Sequence, residues 1–218
     1  MKITKLVHSC LLVELDGKKI LVDPGAYSWK DEIVKDFDFS NITAVVITHN
    51  HPDHFNDDFV RTVKDSSPSA AWHGTPEVVD ELNELGIDGN SSSEDPDIRF
   101  VESQHADLSP WFDTQPEHTS YVLFEKVLIS GDCQTLASAQ GVPCLSGAIN
   151  GGPWGAVVGF AKMIESMKER PKVVLPLHDW HWNEDARNTI YAQLAIVMDK
   201  FGVKFIALKN YVEQEISL

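Results

Sequence analysis

The sequence predicts one α/β or α+β domain spanning residues 1–218, on three observations. Short apolar, β-prone runs crowd the first half. Helical repeats of apolar residues appear in the second half, and a strand-length apolar run lies between those helices. Two packed sheets with helices on their outer faces fit this order, and 218 residues are enough to bury a substantial core.

Residues 3–7, 11–15 and 19–22 read as strands. Asp16-Gly17 marks a tight hairpin between the second and third, and Asp23-Pro24-Gly25 stops the third. The continuous apolar run 44–48 points to a strand covered on both faces. Asn56-Asp57-Asp58 looks like a helix start, and a short strand precedes His73. Thr75-Pro76 predicts an N-cap and first helical position. Val78, Val79, Leu82 and Leu85 follow at helical spacing, and Gly86 closes the segment. Residues 88–97 have loop composition, and 98–102, 120–124 and 126–130 read as strands. After Pro153, apolar residues at Val157, Phe160, Ala161, Ile164 and Met167 form one helical face. Residues 172–177 form a buried strand. Asn183 then caps a helix with Glu184 and Asp185 in its first turn and Ile190, Leu194, Val197, Met198 and Phe201 facing inward; Gly202 ends it. Residues 203–208 and 211–216 read as closing strands.

Apolar residues make up 43% of the chain and charged residues 23%, which excludes a disordered or collagen-like chain. Lys and Arg total 18 against 33 Asp and Glu, a formal charge of −15. A surface this acidic repels phosphate backbones, so a small-molecule substrate is expected rather than a nucleic acid. Cys10, Cys133 and Cys144 form no CxxC pair, which reads as a reducing, cytoplasmic compartment. No run approaches the roughly 18 apolar residues of a membrane span, so no membrane partner is expected.

Chemistry concentrates in residues 48–54, THNHPDH, where His49, His51, Asp53 and His54 can all bind a metal. The preceding apolar run delivers the chain in extended form, so His49 and His51, two apart, face one ion. Pro52 ends that extension, and Asp53 and His54 can then swing toward a second position. A catalytic zinc takes three protein ligands plus water, so further ligands are required. His105, Asp132 and His178 each follow a predicted strand, where loops gather to build sites.

The order His-x-His-x-Asp-His at 49–54, then His105, Asp132 and His178, resembles the metallo-β-lactamase superfamily. TKLVHSCLLVE, ILVDPG, QHADLSP, SGD, GGPW and PLHD look like its small single-domain branch, which includes the ascorbate-phosphate lactonase and many metal-dependent hydrolases. The resemblance implies a four-layer αββα sandwich with the site at one sheet edge. By matching position, His49, His51 and His105 hold a first metal, Asp53, His54 and His178 a second, and Asp132 bridges both. Asp23 then orients a ligand or the motif loop. The SGD stretch lacks a His that often precedes it in relatives, and His118 stands where many relatives carry Asn.

Two divalent ions about 3.5–4 Å apart share a water and lower its pKa from about 15.7 toward 7, giving a hydroxide nucleophile at neutral pH. Asp53 orients that hydroxide and passes a proton to the leaving group. Imidazole with carboxylate favours zinc, with manganese, iron or nickel as alternatives. The related di-iron electron-transfer branch usually carries Glu where His51 stands, which argues against redox chemistry. The expected activity is hydrolysis of an ester, lactone, amide or phosphodiester bond in a small molecule. Two alternatives stand beside it: a nucleotide phosphodiesterase or nuclease on the same scaffold, and a non-enzymatic metal-binding or sensing protein.

Some residues carry two readings. Asp179 either supports His178 or is solvated; His181, three residues beyond His178, is a rival ligand and a pocket candidate. His8 is either a core or edge residue of the half-buried first strand or lies near the site. His118, in the long connection from His105 to Ser120, is a candidate for the substrate pocket. Trp154 is another, with Trp111, Trp180 and Trp182, against a plain packing role.

Overall fold

A computed structural model describes residues 1–107, 109, 115–150 and 157–218. The chain divides into two compact units. The first comprises Met1–Glu94, Pro116–Thr119 and Lys209–Ser217; the second comprises Asp95–Gln115, Ser120–Leu208 and Leu218.

The first unit holds β1 (Lys2–Lys5), β2 (Leu11–Leu15), β3 (Lys18–Val22), α1 (Ala26–Trp29), α2 (Glu32–Lys35), β4 (Ala44–Val46), α3 (Asp57–Ser66), β5 (Ala71–His73), α4 (Pro76–Glu84) and β6 (Gly89–Asn90). The second holds β7 (Ile98–Glu102), nearly all of β8 (Thr119–Leu123), β9 (Val127–Ile129), β10 (Cys144–Ala148), α5 (Val157–Ser166), β11 (Val173–Leu177), α6 (Glu184–Lys200) and β12 (Lys204–Phe205). A last strand, β13 (Glu213–Glu215), returns to the first unit.

The first sheet runs β13-β1-β2-β3-β4-β5-β6. Its first four strands pair antiparallel, and β3 to β6 pair parallel. Asp16 (φ 50) and Gly17 (φ 80) both lie in the left-handed region that a two-residue hairpin turn demands. Val34, Phe59, Val60, Val63, Val78 and Leu82 of the helices pack on Leu12, Leu21, Val45 and Trp72, so α2, α3 and α4 cover one face of this sheet. The other face is apolar too: Ile3, Val13, Ile20 and Val46 are all buried.

The second sheet runs β12-β11-β10-β9-β8-β7. β9 to β12 are parallel, and β8 meets β9 antiparallel. Phe160, Met163 and Ile164 of α5 and Tyr191, Leu194 and Met198 of α6 pack on Val122, Leu128, Leu145 and Val174. The architecture is mixed α/β with two sheets, each with helices on a face.

Two expectations are corrected at this level, and three elements were not anticipated. The first strand ends at Lys5, so His8 sits in a turn (φ 60) with no accessible surface, rather than in a half-buried strand. Residues 89–90, read as loop, pair with β5. The central strand β10 was not anticipated, nor were the single-turn helices α1 and α2. Among the described residues, no helix is long and apolar enough to cross a membrane.

Candidate functional site

Parallel strands deliver chemistry-bearing residues from their carboxyl ends, and both units use this rule. In the first unit β3 ends at Asp23 and β4 leads into Thr48 and His49. The Asp23 N–H donates to the Val46 carbonyl at 3.0 Å and holds the two ends level. In the second, β9 leads to Asp132, β10 to Asn150 and β11 to His178, on three adjacent strands.

The first unit brings together His8, Asp23, His49, His51, Asp53, His54 and His118. Buried Asp23 organises it. Its Oδ1 accepts from the Thr48 N–H (2.7 Å), and its Oδ2 accepts from the Thr48 hydroxyl (3.0 Å) and from His54 Nδ1 (2.8 Å). Thr48 Oγ1 also lies 3.0 Å from His49 Nδ1 and 3.3 Å from His54 Nδ1. A carboxylate only accepts, so the hydroxyl spends its single hydrogen on Asp23 and accepts from the rings. Both imidazoles therefore carry hydrogen on Nδ1 and offer the Nε2 lone pair to a metal, as an oriented ligand requires.

The rings of His51 and His54 lie 4.7 and 4.1 Å from that of His49, centroid to centroid. His118 stands 5.2 Å from His49, on a segment tied to the motif where the Thr119 N–H donates to the Thr48 carbonyl (3.0 Å). Asp53 Oδ2 lies 3.8 Å from His54 Nε2 and 3.0 Å from His8 Nε2. Burial and then the Asp53 charge push the phenol of neighbouring Tyr27 above its ordinary range. The Asn50 amide donates to Glu81 Oε1 of α4 (3.0 Å), fixing the motif loop from the helix side.

The second unit brings together His105, Asp132 and His178. His178 Nδ1 donates to Asn150 Oδ1 (2.9 Å) and His105 Nδ1 to the Ala106 carbonyl (2.7 Å), so these rings too present Nε2. Both Nε2 atoms approach the same oxygen, Asp132 Oδ2, at 3.6 Å from His105 and 3.4 Å from His178. Two donors each about 2.0–2.1 Å from a tetrahedral ion stand roughly 3.3–3.4 Å apart. The spacing is compatible with ligands of a metal ion, and the imidazole and carboxylate donors fit a divalent metal.

Asp179 is buried, not solvated. Its Oδ2 accepts from the Tyr191 hydroxyl (2.6 Å), and Arg187 Nε lies 3.0 Å from the same oxygen. Burial, then the Asp179 charge, drives the Tyr191 phenol far up. The His181 ring stands 5.4 Å from that of Trp180, whose side chain is exposed. Trp154 and Trp111 lie outside the described residues. His73, in β5, has its Nδ1 3.3 Å from the Ser92 carbonyl. Sequence reasoning missed Thr48 and Asn150, which between them contact three rings, those of His49, His54 and His178. The one signal for Asn150 is its place just beyond an unrecognised parallel strand.

Comparison with known proteins bears on the same residues. Over residues 2–178 the chain matches the family described as the Beta-lactamase superfamily domain. Protein Rv0786c of Mycobacterium tuberculosis is 26% identical over 203 residues, 89% of this chain and 91% of that protein. A UPF0173 metal-dependent hydrolase of Staphylococcus haemolyticus is 26% identical over 112 residues, about half of either chain (49% and 48%). Igni18, a metallo hydrolase of the archaeon Ignicoccus hospitalis, superposes with a TM-score of 0.67 at 20% identity over 99% of both chains, a likeness of fold. The family match, which takes in the motif, His105, Asp132 and His178, together with the shared fold, establishes that the chain belongs to the metallo-β-lactamase superfamily.

Proposed function

We propose that the chain is a metal-dependent hydrolase of a small molecule, with His49, His51 and His105 holding one divalent ion, Asp53, His54 and His178 a second, and Asp132 between them. The observation that carries this reading is the single oxygen of Asp132 flanked at ligand spacing by two imidazoles, each locked to present Nε2. A carboxylate so flanked would be placed to hold both ions, and its charge would offset repulsion between two dications. One family match running from residue 2 to 178 supports treating both units as halves of one catalytic domain.

Ions bound there supply an acidified water and polarise the scissile bond. Asp53 then orients the attacking oxygen and carries a proton to the leaving group. Asp23, Thr48 and Asn150 keep the imidazoles turned toward the centre, so little reorganisation is needed during reaction. The imidazole-rich set favours zinc, ahead of manganese, iron or nickel. The charge of −15 supports a small substrate over a polynucleotide, and three buried free cysteines support a reducing, cytoplasmic setting.

Metal analysis of the purified protein after zinc loading tests the centre: two ions per chain are expected, and less than one defeats the reading. A screen over lactones, phosphodiesters and thioesters identifies the bond. Against the substrate so found, His51→Ala and Asp53→Ala abolish turnover while circular dichroism stays that of the parent; retained turnover in either refutes the assignment.

A further inference from the structure

The motif loop is gripped from a part of the chain that the ligand set does not include. We propose that His8 is a positioning residue for Asp53, its Nε2–H fixing the carboxylate that serves the metal centre. This rests on the reading of Asp53 as a ligand given above.

His8 Nε2 lies 3.0 Å from Asp53 Oδ2. A carboxylate only accepts, so His8 donates through Nε2, the opposite choice from His49, His54, His105 and His178. A ring that spends Nε2–H on a carboxylate is oriented to hold it, not to ligate through that nitrogen. The same Oδ2 lies 3.8 Å from His54 Nε2, so His8 grips the oxygen on the ligand side. The Asp53 side chain is 19% exposed and sits on a turn, whereas that of His8 is 1% exposed. The partner that is locked thus steadies the one that can rotate. Two features help to lock His8: Tyr27 meets its ring edge-on (4.9 Å, 87°), and its backbone is held at φ 60. A non-glycine residue in that region persists only where surrounding structure determines it.

The grip extends to the backbone. The Ser9 hydroxyl donates to the Asp53 carbonyl (2.7 Å), and the Ala26 N–H to the Pro52 carbonyl (2.7 Å). Gly25 packs so closely on the Asp53 carbonyl that a Cβ there would collide with it. The turn at 8–9 and the segment 25–26 therefore clamp Asp53 by side chain and main chain together.

The test strips the full chain with chelator and titrates it with zinc and with cobalt(II). Wild type takes up two ions. His8→Gly fits φ 60 without strain. It is expected to lose about 10–100-fold in affinity for one ion, to alter the visible cobalt spectrum, and to keep the metal-free Tm within a few degrees. His8→Gln, which carries an amide N–H at about the reach of Nε2, restores most of that affinity. A folded His8→Gly that binds zinc within twofold of wild type overturns the proposal and leaves the metal reading standing. A folded His8→Gln that binds as weakly as His8→Gly assigns the loss to ring packing and also overturns it. A wild type that binds no ion defeats the metal reading and the proposal together. If His8→Gly does not fold, His8→Asn replaces it, since its side chain tolerates the left-handed region but stops short of Asp53; wild-type affinity there overturns the proposal.

Discussion

Which nitrogen of an imidazole carries the hydrogen decides which one can ligate, and His49, His54, His105 and His178 have that choice made by oxygen atoms of the chain. Thr48 matters most, because its hydroxyl accepts from His49 while donating to Asp23, the carboxylate that in turn accepts from His54. Thr48→Val keeps the shape and removes the acceptor. It is expected to weaken zinc binding by about 10–100-fold in a chelator competition, with Thr48→Ser restoring it. Three of the non-glycine residues with positive φ stand at the candidate site, His8 (60), Asp23 (45) and His178 (70), each costing on the order of 1–3 kcal/mol. Strain of this kind marks positions whose backbone serves placement of a side chain. The ligand candidates were legible because His49, His51, Asp53 and His54 crowd into six residues directly after a strand-length apolar run. Thr48 and Asn150 were not, because a hydroxyl or an amide beside a strand has no distinguishing pattern until its neighbours in space are known.

Helices announced themselves by their caps. Asn56 accepts from the Phe59 N–H (3.0 Å), Thr75 from Val78 (3.3 Å) and Asn183 from Ala186 (2.9 Å), each where the sequence places a helix start. Asn56→Ala is expected to cost about 1 kcal/mol in urea unfolding. A loss well above 2 kcal/mol would mean the cap also anchors the motif loop. Strands were read less well where pairing, not composition, makes them. β10 reads CLSGA, with Ser and Gly of low strand propensity, yet it lies between β9 and β11 and is buried throughout. Its Gly147 is required: a Cβ there would strike Ser130 Oγ. Gly147→Ala should therefore destabilise by roughly 1–3 kcal/mol, measured by the same unfolding curve. At the sheet margin the error reversed. Residues 203–208 look like a full strand, but β12 has one neighbour and only Lys204–Phe205 pair. α6 shows a further limit, for Tyr191 is buried on its inner face although a tyrosine at that spacing does not read as core.

At the scale of the whole molecule, buried acids set how the protein responds to base. Burial pushes the Cys144 thiol up to about 12 and drives the phenols of Tyr191 and Tyr211 upward as well. The folded chain keeps these groups protonated where the unfolded chain has released them, near pH 9 to 10. The unfolded state then binds fewer protons, so stability is full below about pH 9 and falls as pH rises toward 12, on the order of 1.4 kcal/mol per unit for each of the well-buried groups Cys144 and Tyr191 and less for the more solvated Tyr211. Urea midpoints measured from pH 7 to 11 should be level and then drop; a midpoint still level at pH 11 contradicts the assignment. The two-sheet class was legible from the alternation of runs, whereas the membership of each unit was not, because β13 joins the first sheet from the far end of the sequence. That strand pairs with β1 in register Lys2 to Glu215, reinforced by a Lys2–Glu213 ion pair at 2.8 Å. On a ribosome adding about 5–20 residues per second, the outer edge of β1 waits roughly 10–40 s for its partner to be made. The charge of exposed Lys2 on that waiting edge disfavours its pairing with another nascent chain in the interval.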